Sequence, residues 1–285
     1  MGIRIVSRAR IRELESFIED VSYPSHCVDC PGLYSDSPQH HPSYEVTTEC
    51  NLNCVFCYAH SSAMANTLPK PGYYGNENPK AITVSQYGEP TVIGIEKLEK
   101  LFDLLRKKFG NVRIDLQTNG TLLNKPVQAD IVMISLSSST KEGYMRLTGR
   151  NMFCRVLKAI EMNSGVIVRT VFLPGINDSE IDSIAKIVRE YEVEHMIQPC
   201  SIHPGLKERL REAGYSFDRD TLYDYLDSAE KARSSGADVR IPGCLLRIVK
   251  SMLEQFDFED VVFAQRRVAK SPPKIRREWK FSFHI

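Results

Sequence analysis

The chain has 285 residues, is 42% hydrophobic and 26% charged, and carries 37 basic against 36 acidic residues for a formal net charge of +1. This composition excludes a disordered or fibrous protein, and the charge balance excludes a chain-wide attraction to nucleic acid or to an anionic membrane. No apolar run of about 18 residues occurs, and MGIRIVSRARIRELESF lacks the apolar stretch of a signal peptide, so a cytoplasmic chain with no membrane contact is expected. In that compartment thiols stay reduced. The eight cysteines, at 27, 30, 50, 54, 57, 154, 200 and 244, therefore point to metal ligation or catalysis rather than to disulfides.

Residues 1–43 read as an N-terminal extension, and its stretch 21–43, rich in Pro, Ser and His, reads as a ligand-tied loop carrying Cys27-Val-Asp-Cys30. From residue 44 to residue 200, β-branched runs alternate with helix-period runs, which predicts a parallel sheet with helical crossovers. The predicted strands are Tyr44–Thr48, Ala81–Ser85, Val112–Leu116, Ile131–Leu136, Val166–Phe172 and His195–Pro199. Residues 61–80 read as a long loop between the first two. Helical spacing marks Ile95–Phe109 and Ile181–Tyr191, with Asn177 and Glu180 as a capping pair before the latter, and it places Cys154 as a buried small hydrophobe in Met152–Met162. Residues 201–285 read as a C-terminal extension with helices Leu206–Ala213, Thr221–Ser234 and Leu245–Phe256, a short strand Val239–Ile241, and a basic tail.

The residues with chemical potential fall at or just past the strand ends, where active sites of parallel α/β barrels assemble. Cys50-Asn-Leu-Asn-Cys54-Val-Phe-Cys57 follows the first strand. Three thiolates so close together can bind three irons of a cubane cluster and leave the fourth iron open, and the alternative is a zinc site lacking a ligand. Gln86-Tyr87-Gly88-Glu89-Pro90 follows the second strand, Gln117-Thr118-Asn119-Gly120 ends the third, and Ser135-Leu-Ser137 ends the fourth. Arg169 lies inside the apolar fifth strand, where a cation must be paired or face a ligand.

With Phe56 before its last cysteine, the triplet resembles the hallmark of the radical SAM superfamily, and the resemblance extends over about residues 44–200. It implies a partial (βα)6 TIM-like barrel with an N-terminal loop extension and a C-terminal helical, basic extension. It also implies an enzyme that binds a 4Fe-4S cluster on Cys50, Cys54 and Cys57, and S-adenosylmethionine on the open iron. An electron, from a donor such as ferredoxin or flavodoxin, then splits the sulfonium, and the 5′-deoxyadenosyl radical takes hydrogen from a substrate. Gly88-Glu89-Pro90 is similar to the family turn that holds the methionine amino group, with Tyr87 in place of its first glycine. Gln117 and Thr118 resemble the Asp-Thr-Asn-Gly of enzymes that activate glycyl-radical enzymes. Ser135 and Ser137 stand where those enzymes carry Asp and Lys, and Arg169 stands where the family meets the cofactor carboxylate. The implied cofactor-binding set is thus Phe56, Tyr87, Gly88, Glu89, Gln117, Thr118, Ser135, Ser137 and Arg169.

Cys27, Cys30, Cys200 and Cys244 form a candidate ligand set for a second iron–sulfur cluster, because the last two should share the active-site face and the linker 31–43 is long enough to bring the first pair across. A zinc knuckle of Cys27 and Cys30 with His40 or His41, or unligated thiols, are the alternatives. His203 could face the substrate or make an ordinary surface hydrogen bond. A second cluster favours a peptide or protein side chain as substrate; a tRNA base and a small metabolite are the other options. The tail 262–285, with seven Lys or Arg and one acid, makes RNA a weaker option, and a zinc-binding structural or nucleic-acid-binding module is the rival from a different class.

Overall fold

A computed structural model describes residues 2–35, 40–253 and 260–285. In chain order the elements are β1 (Ile3–Ser7), α1 (Arg8–Asp20), β2 (Ser43–Glu45), α2 (Tyr58–Met64), β3 (Gly72–Tyr74), β4 (Ala81–Val84), α3 (Ile95–Phe109), β5 (Arg113–Thr118), β6 (Ile131–Ser135) and α4 (Lys141–Thr148). They continue with α5 (Phe153–Met162), β7 (Val166–Phe172), α6 (Ile181–Glu190), β8 (Glu194–Pro199), α7 (Lys207–Glu212), α8 (Leu222–Ser234), β9 (Val239–Arg240), α9 (Gly243–Leu253), β10 (Asp260–Ala264) and β11 (Trp279–Phe281).

Strands β2, β4, β5, β6, β7, β8 and β9 are parallel neighbours in that order, with β3 and then β11 antiparallel at the β2 edge. The first six are the six read from β-branched runs, and their alternation with α3, α4–α5 and α6 gives the partial TIM-like α/β barrel. Buried on both faces, β6 and β7 are apolar except for Ser135 and the pair Arg169-Thr170, as suits central parallel strands that end at a site. Helix α3 buries the stripe Ile95, Leu98, Leu101, Phe102 and Leu105, and α6 buries Ile181, Ile184, Ala185 and Val188. The Oγ1 of Thr221 caps α8 by accepting the Asp224 N–H at 3.1 Å.

Several expectations change. The N-terminal extension is not only loop: β1 pairs antiparallel with β10, and α1 packs on α8 and α9 through Ile11, Leu14, Phe17 and Ile18. The supposed loop 61–80 holds most of α2 and all of β3. Asn177 and Glu180 do not cap α6. Instead, the buried Asn177 amide bridges Leu173 N–H to the Ser137 and Val171 carbonyls, and the Glu180 carboxylate takes the Ser138 and Ser139 hydroxyls. Cys154 is exposed on α5. Residues 254–256 of the expected last helix lie outside the described residues.

Candidate active site

The loop between β2 and α2 carries Cys50, Cys54 and Cys57, and three anchors fix it. The Asn53 and Val55 N–H groups donate to the Thr148 and Leu147 carbonyls at the end of α4, both at 2.9 Å, and Arg209 Nη2 donates to Asn53 O at 2.6 Å. Gly149, with φ of 78°, ends α4 in the left-handed region and lets the loop pass close by. The three sulfurs line one cavity of about 1110 Å³ together with Phe56, Gly88, Glu89, Gln117, Thr118, Ser135, Ser137 and Arg169. Of the nine residues expected at the cofactor, Tyr87 alone is absent from this lining.

No disulfide joins these thiols. Burial, and then the neighbouring Cys57 and Cys50, push the Cys54 thiol upward, so three thiolates here need a compensating metal charge. Among the described residues, only His26, His41 and Asp115 bring three ligand atoms within 4.8 Å of one another. Thiolates on a single zinc, each about 2.3 Å from the metal, would be that compact. The wider triplet suits a cluster whose ligands sit on separate irons.

Glu89 is fully buried, and burial raises its pKa while hydrogen bonds from Asn119 and Thr91 oppose the rise. Its Oε1 accepts from Thr91 N–H, Thr91 Oγ1 and Thr118 Oγ1, and its Oε2 accepts from Asn119 N–H at 2.6 Å. The carboxylate thereby ties the second strand end to the third. Gly88 has φ of 68°, and a Cβ there would lie 2.3 Å from the Thr47 carbonyl oxygen, so only glycine fits this turn. Arg169 Nη1 donates to Gln117 Oε1 at 2.9 Å and Nη2 to Ser135 Oγ at 3.0 Å, while its buried Nε has no partner. Burial lowers its pKa, and with no carboxylate bonded to it among the described residues the guanidinium is a cation waiting for an anion. Ser137 Oγ is partly used, accepting the Val171 N–H at 3.1 Å.

A second cavity of about 1150 Å³ adjoins the first, and Tyr58, Gln86, Gln117, Arg169, Gln198 and Ser201 line both. The Tyr87 side chain lies here, edge-to-face with Tyr58 at 5.3 Å, because its N–H turns inward to Glu45. Cys27, Cys30 and Cys244 also line this second cavity, with Cys27 Sγ accepting the Gly243 N–H at 3.5 Å. Burial pushes the Cys27 thiol up to about 12.

The fourth expected ligand, Cys200, is elsewhere. The two-residue alternation of β8 stops at Pro199, Ser201 takes the inward direction, and Cys200 is buried among Leu206, Leu210, Ile202 and Tyr215. His41 is also diverted: its Nε2 lies 2.9 Å from the His26 carbonyl oxygen, while His40 and His203 line the second cavity. The compact His26–His41–Asp115 group is not a cation site. Arg113 donates to both Asp115 oxygens, at 2.8 and 3.0 Å, and stands 3.2 Å from His41 Nε2.

Sequence reasoning missed Tyr58, Tyr144, Thr148, Gln198 and Ser201, all of which line the first cavity. Tyr58 and Gln198 were legible as neighbours of a motif or a strand end. Tyr144 and Thr148 come from α4, whose approach to the cysteine loop is tertiary.

Residues 44–188 match the family model described as the Radical SAM superfamily. An uncharacterized protein of Methanocaldococcus jannaschii is 37% identical over 284 residues, covering 93% of this chain and 94% of that one. A protein of Methanosarcina mazei named as a probable GTP 3′,8-cyclase is 26% identical over 211 residues; the match covers 64% of this chain and 59% of that protein's length. A solved structure of TYW1 with a lysine-pyruvate adduct bound is similar with a TM-score of 0.49 and 16% identity, over 82% of this chain and 84% of that one.

Proposed function

We propose, from the premise that this chain belongs to the radical SAM superfamily and is therefore an enzyme that uses an iron–sulfur cluster and S-adenosylmethionine, that Cys50, Cys54 and Cys57 hold the 4Fe-4S cluster and the cavity beside them holds the S-adenosylmethionine. The observation that carries this reading is the shared lining: three cysteine sulfurs, the Glu89 carboxylate and the Arg169 guanidinium face one cavity at the strand ends. When bound, the cluster and S-adenosylmethionine together supply reductive cleavage of a carbon–sulfur bond and abstraction of a substrate hydrogen.

The chain's own residues then have distinct tasks. Arg169, its unpartnered Nε included, receives the methionine carboxylate, and Gln117 and Ser135 hold it in place. Glu89 presents negative charge toward the methionine ammonium. Its Oε2, with a single hydrogen bond, is the freer oxygen, and Gly88 lets the backbone approach. Ser135 and Ser137 offer hydroxyls to the ribose, Thr118 is spent on holding Glu89, and Phe56 with Leu52 and Leu147 supplies apolar walls that exclude water. A one-electron donor such as ferredoxin or flavodoxin completes the system.

The substrate occupies the second cavity, across the shared wall of Gln198, Ser201 and Tyr58. A second cluster, if held there, uses Cys27, Cys30 and Cys244 without Cys200. The peptide reading drew its support from a four-cysteine set, and with Cys200 buried apart that support shrinks. A small metabolite takes precedence, because Pro273 and Lys274 of the C-terminal segment form part of the cavity wall. Anaerobic reconstitution, metal analysis, and incubation with S-adenosylmethionine and dithionite test the reading. Iron with sulfide, and 5′-deoxyadenosine by mass spectrometry, are expected. Stoichiometric zinc with no 5′-deoxyadenosine would overturn it in favour of a zinc module.

A further inference from the structure

The second cavity opens onto a smaller hollow of about 600 Å³ that shares His40, Gln86 and Lys274 with it and adds His41, Arg276 and Arg277. No Asp or Glu lines either space among the described residues. In a chain with 36 acids and a net charge of +1, a mouth lined by no carboxylate among the described residues is a local feature and not a reflection of overall charge. Two acids that bond to wall residues are already engaged. Asp115 is held by Arg113 and His26, and Glu45 accepts the Gln86 and Tyr87 N–H groups behind the cavity wall.

The cations of the C-terminal segment are not equivalent. Arg266 pairs with the buried Asp220 at 2.6 Å, and Lys280 pairs with Glu278 at 3.0 Å. Lys274 makes no hydrogen bond or ion pair among the described residues, yet it lines both spaces. The chain on either side of this exposed lysine is held in place. Just before it, the Pro273 carbonyl accepts from Ser62 Oγ at 2.7 Å and His203 Nδ1 lies 3.0 Å from the Ser271 carbonyl. Just after it, Arg277 Nη2 donates to the His40 carbonyl at 2.9 Å, and β11 pairs with β3. Arg169 also lines this cavity.

We propose that the substrate of the second cavity carries an anionic group, a phosphate or a carboxylate, which the Lys274 ammonium and the Arg277 guanidinium seat at the rim while its reacting end points toward the wall shared with the first cavity. The inference deepens the functional reading above and rests on it for the place of the substrate. A lysine and an arginine at a cavity lined by no Asp or Glu among the described residues recognise a compact anion by charge and hydrogen bonding. RNA would be met by an outward row of unpaired cations; in this segment Arg266 pairs with Asp220 and Lys280 with Glu278, and RNA is kept as an outcome of the test.

The test is isothermal titration calorimetry on the full chain, purified and reconstituted anaerobically, with inorganic triphosphate, citrate and the neutral comparator glycerol. Lys274→Glu is compared with Lys270→Glu, the same charge change in the same segment but outside both spaces. At least one anion should bind the parent and glycerol should not. Lys274→Glu should weaken anion binding at least about tenfold, and Lys270→Glu less than about twofold. A preference for triphosphate assigns a phosphate, and a preference for citrate a carboxylate. Equal unfolding midpoints for the two variants exclude misfolding as the cause. Binding of neither anion, equal losses in the two variants, or binding of tRNA alone would overturn the proposal. If the parent forms no 5′-deoxyadenosine, the functional reading fails. If it forms 5′-deoxyadenosine but binds no anion, this inference fails alone.

Discussion

The two cysteine triplets are built in opposite ways. Cys50, Cys54 and Cys57 occupy one short loop whose backbone is hydrogen-bonded to the end of α4 and to Arg209. Cys27 and Cys30 sit on turns ahead of the barrel, whereas Cys244 begins α9 near the other end of the chain, and the three meet only when the fold is complete. A metal bound by the first set stabilises mainly a loop already tied down, while one bound by the second set ties distant segments together and adds to global stability. The first is a local candidate site and the second a tertiary candidate.

The sharpest way to break that comparison is to remove one thiol from the local site. Cys54→Ala should abolish 5′-deoxyadenosine formation, at least about a hundredfold, because a cluster with two protein ligands is labile. Cleavage at the parent rate would end the claim that this loop holds the catalytic cluster. Replacing Cys27, Cys30 and Cys244 together should remove about half of the iron of a reconstituted two-cluster sample while 5′-deoxyadenosine still forms without substrate, and should lower the unfolding midpoint of the loaded protein. Cys200→Ala should leave iron content unchanged, since its thiol is buried in an apolar cluster apart from the others. Iron loss in that variant would restore the four-cysteine set, and a parent holding only about four irons would remove the second cluster altogether.

Arg169 lines both cavities, so its variants ask which of them it serves. Arg169→Ala should weaken S-adenosylmethionine binding about tenfold to a hundredfold, the loss of one charge-assisted contact, with iron content near that of the parent. Arg169→Lys should recover only a small part, because one ammonium cannot span Gln117 Oε1 and Ser135 Oγ while also meeting a carboxylate. Equilibrium dialysis with labelled S-adenosylmethionine reads the effect. Unchanged affinity in both variants would move Arg169 to a purely structural role.

The same contrast explains what the sequence could reveal. The six core strands and α3 and α6 were legible because their burial is periodic, and the cysteine loop, Gly88 and Glu89 were legible because each lies at a strand end within a few residues of its neighbours. The site's far wall was not: Tyr144 and Thr148 reach it through α4, and Lys274 through a segment with no apolar period at all. Cys200 was misplaced for a local reason, since the alternation that would have carried it inward ends at Pro199. Asn177 was misread because an amide near a helix start looks like a cap, while its full burial made it a bridge between two strand ends.

Glu45 underlies both sites, and its variant is read in stability instead of activity. Its Oε2 accepts the Gln86 and Tyr87 N–H groups, both at 2.9 Å, which fixes the turn whose Gly88 faces one cavity and whose Tyr87 faces the other. Burial raises the carboxyl to about 7 despite the hydrogen bonds from Tyr87, Ser43 and Gln86. A folded-state pKa above the unfolded value means that the folded chain holds a proton the unfolded chain releases. This group's contribution to stability is therefore fully present below about 4.5 and is lost as pH rises through about 7. Glu45→Gln keeps an acceptor for the two N–H groups and removes the titration. Relative to the parent, the metal-free variant should gain on the order of 2–3 kcal/mol between pH 5 and pH 8, a rise of several degrees in relative unfolding midpoint. Groups such as His195, whose burial lowers its pKa to about 3, occur in both proteins and cancel in the difference. A midpoint difference that does not change with pH would mean that Glu45 is ionised in the folded chain, and that the turn between the two cavities rests on a charge instead of a buried acid.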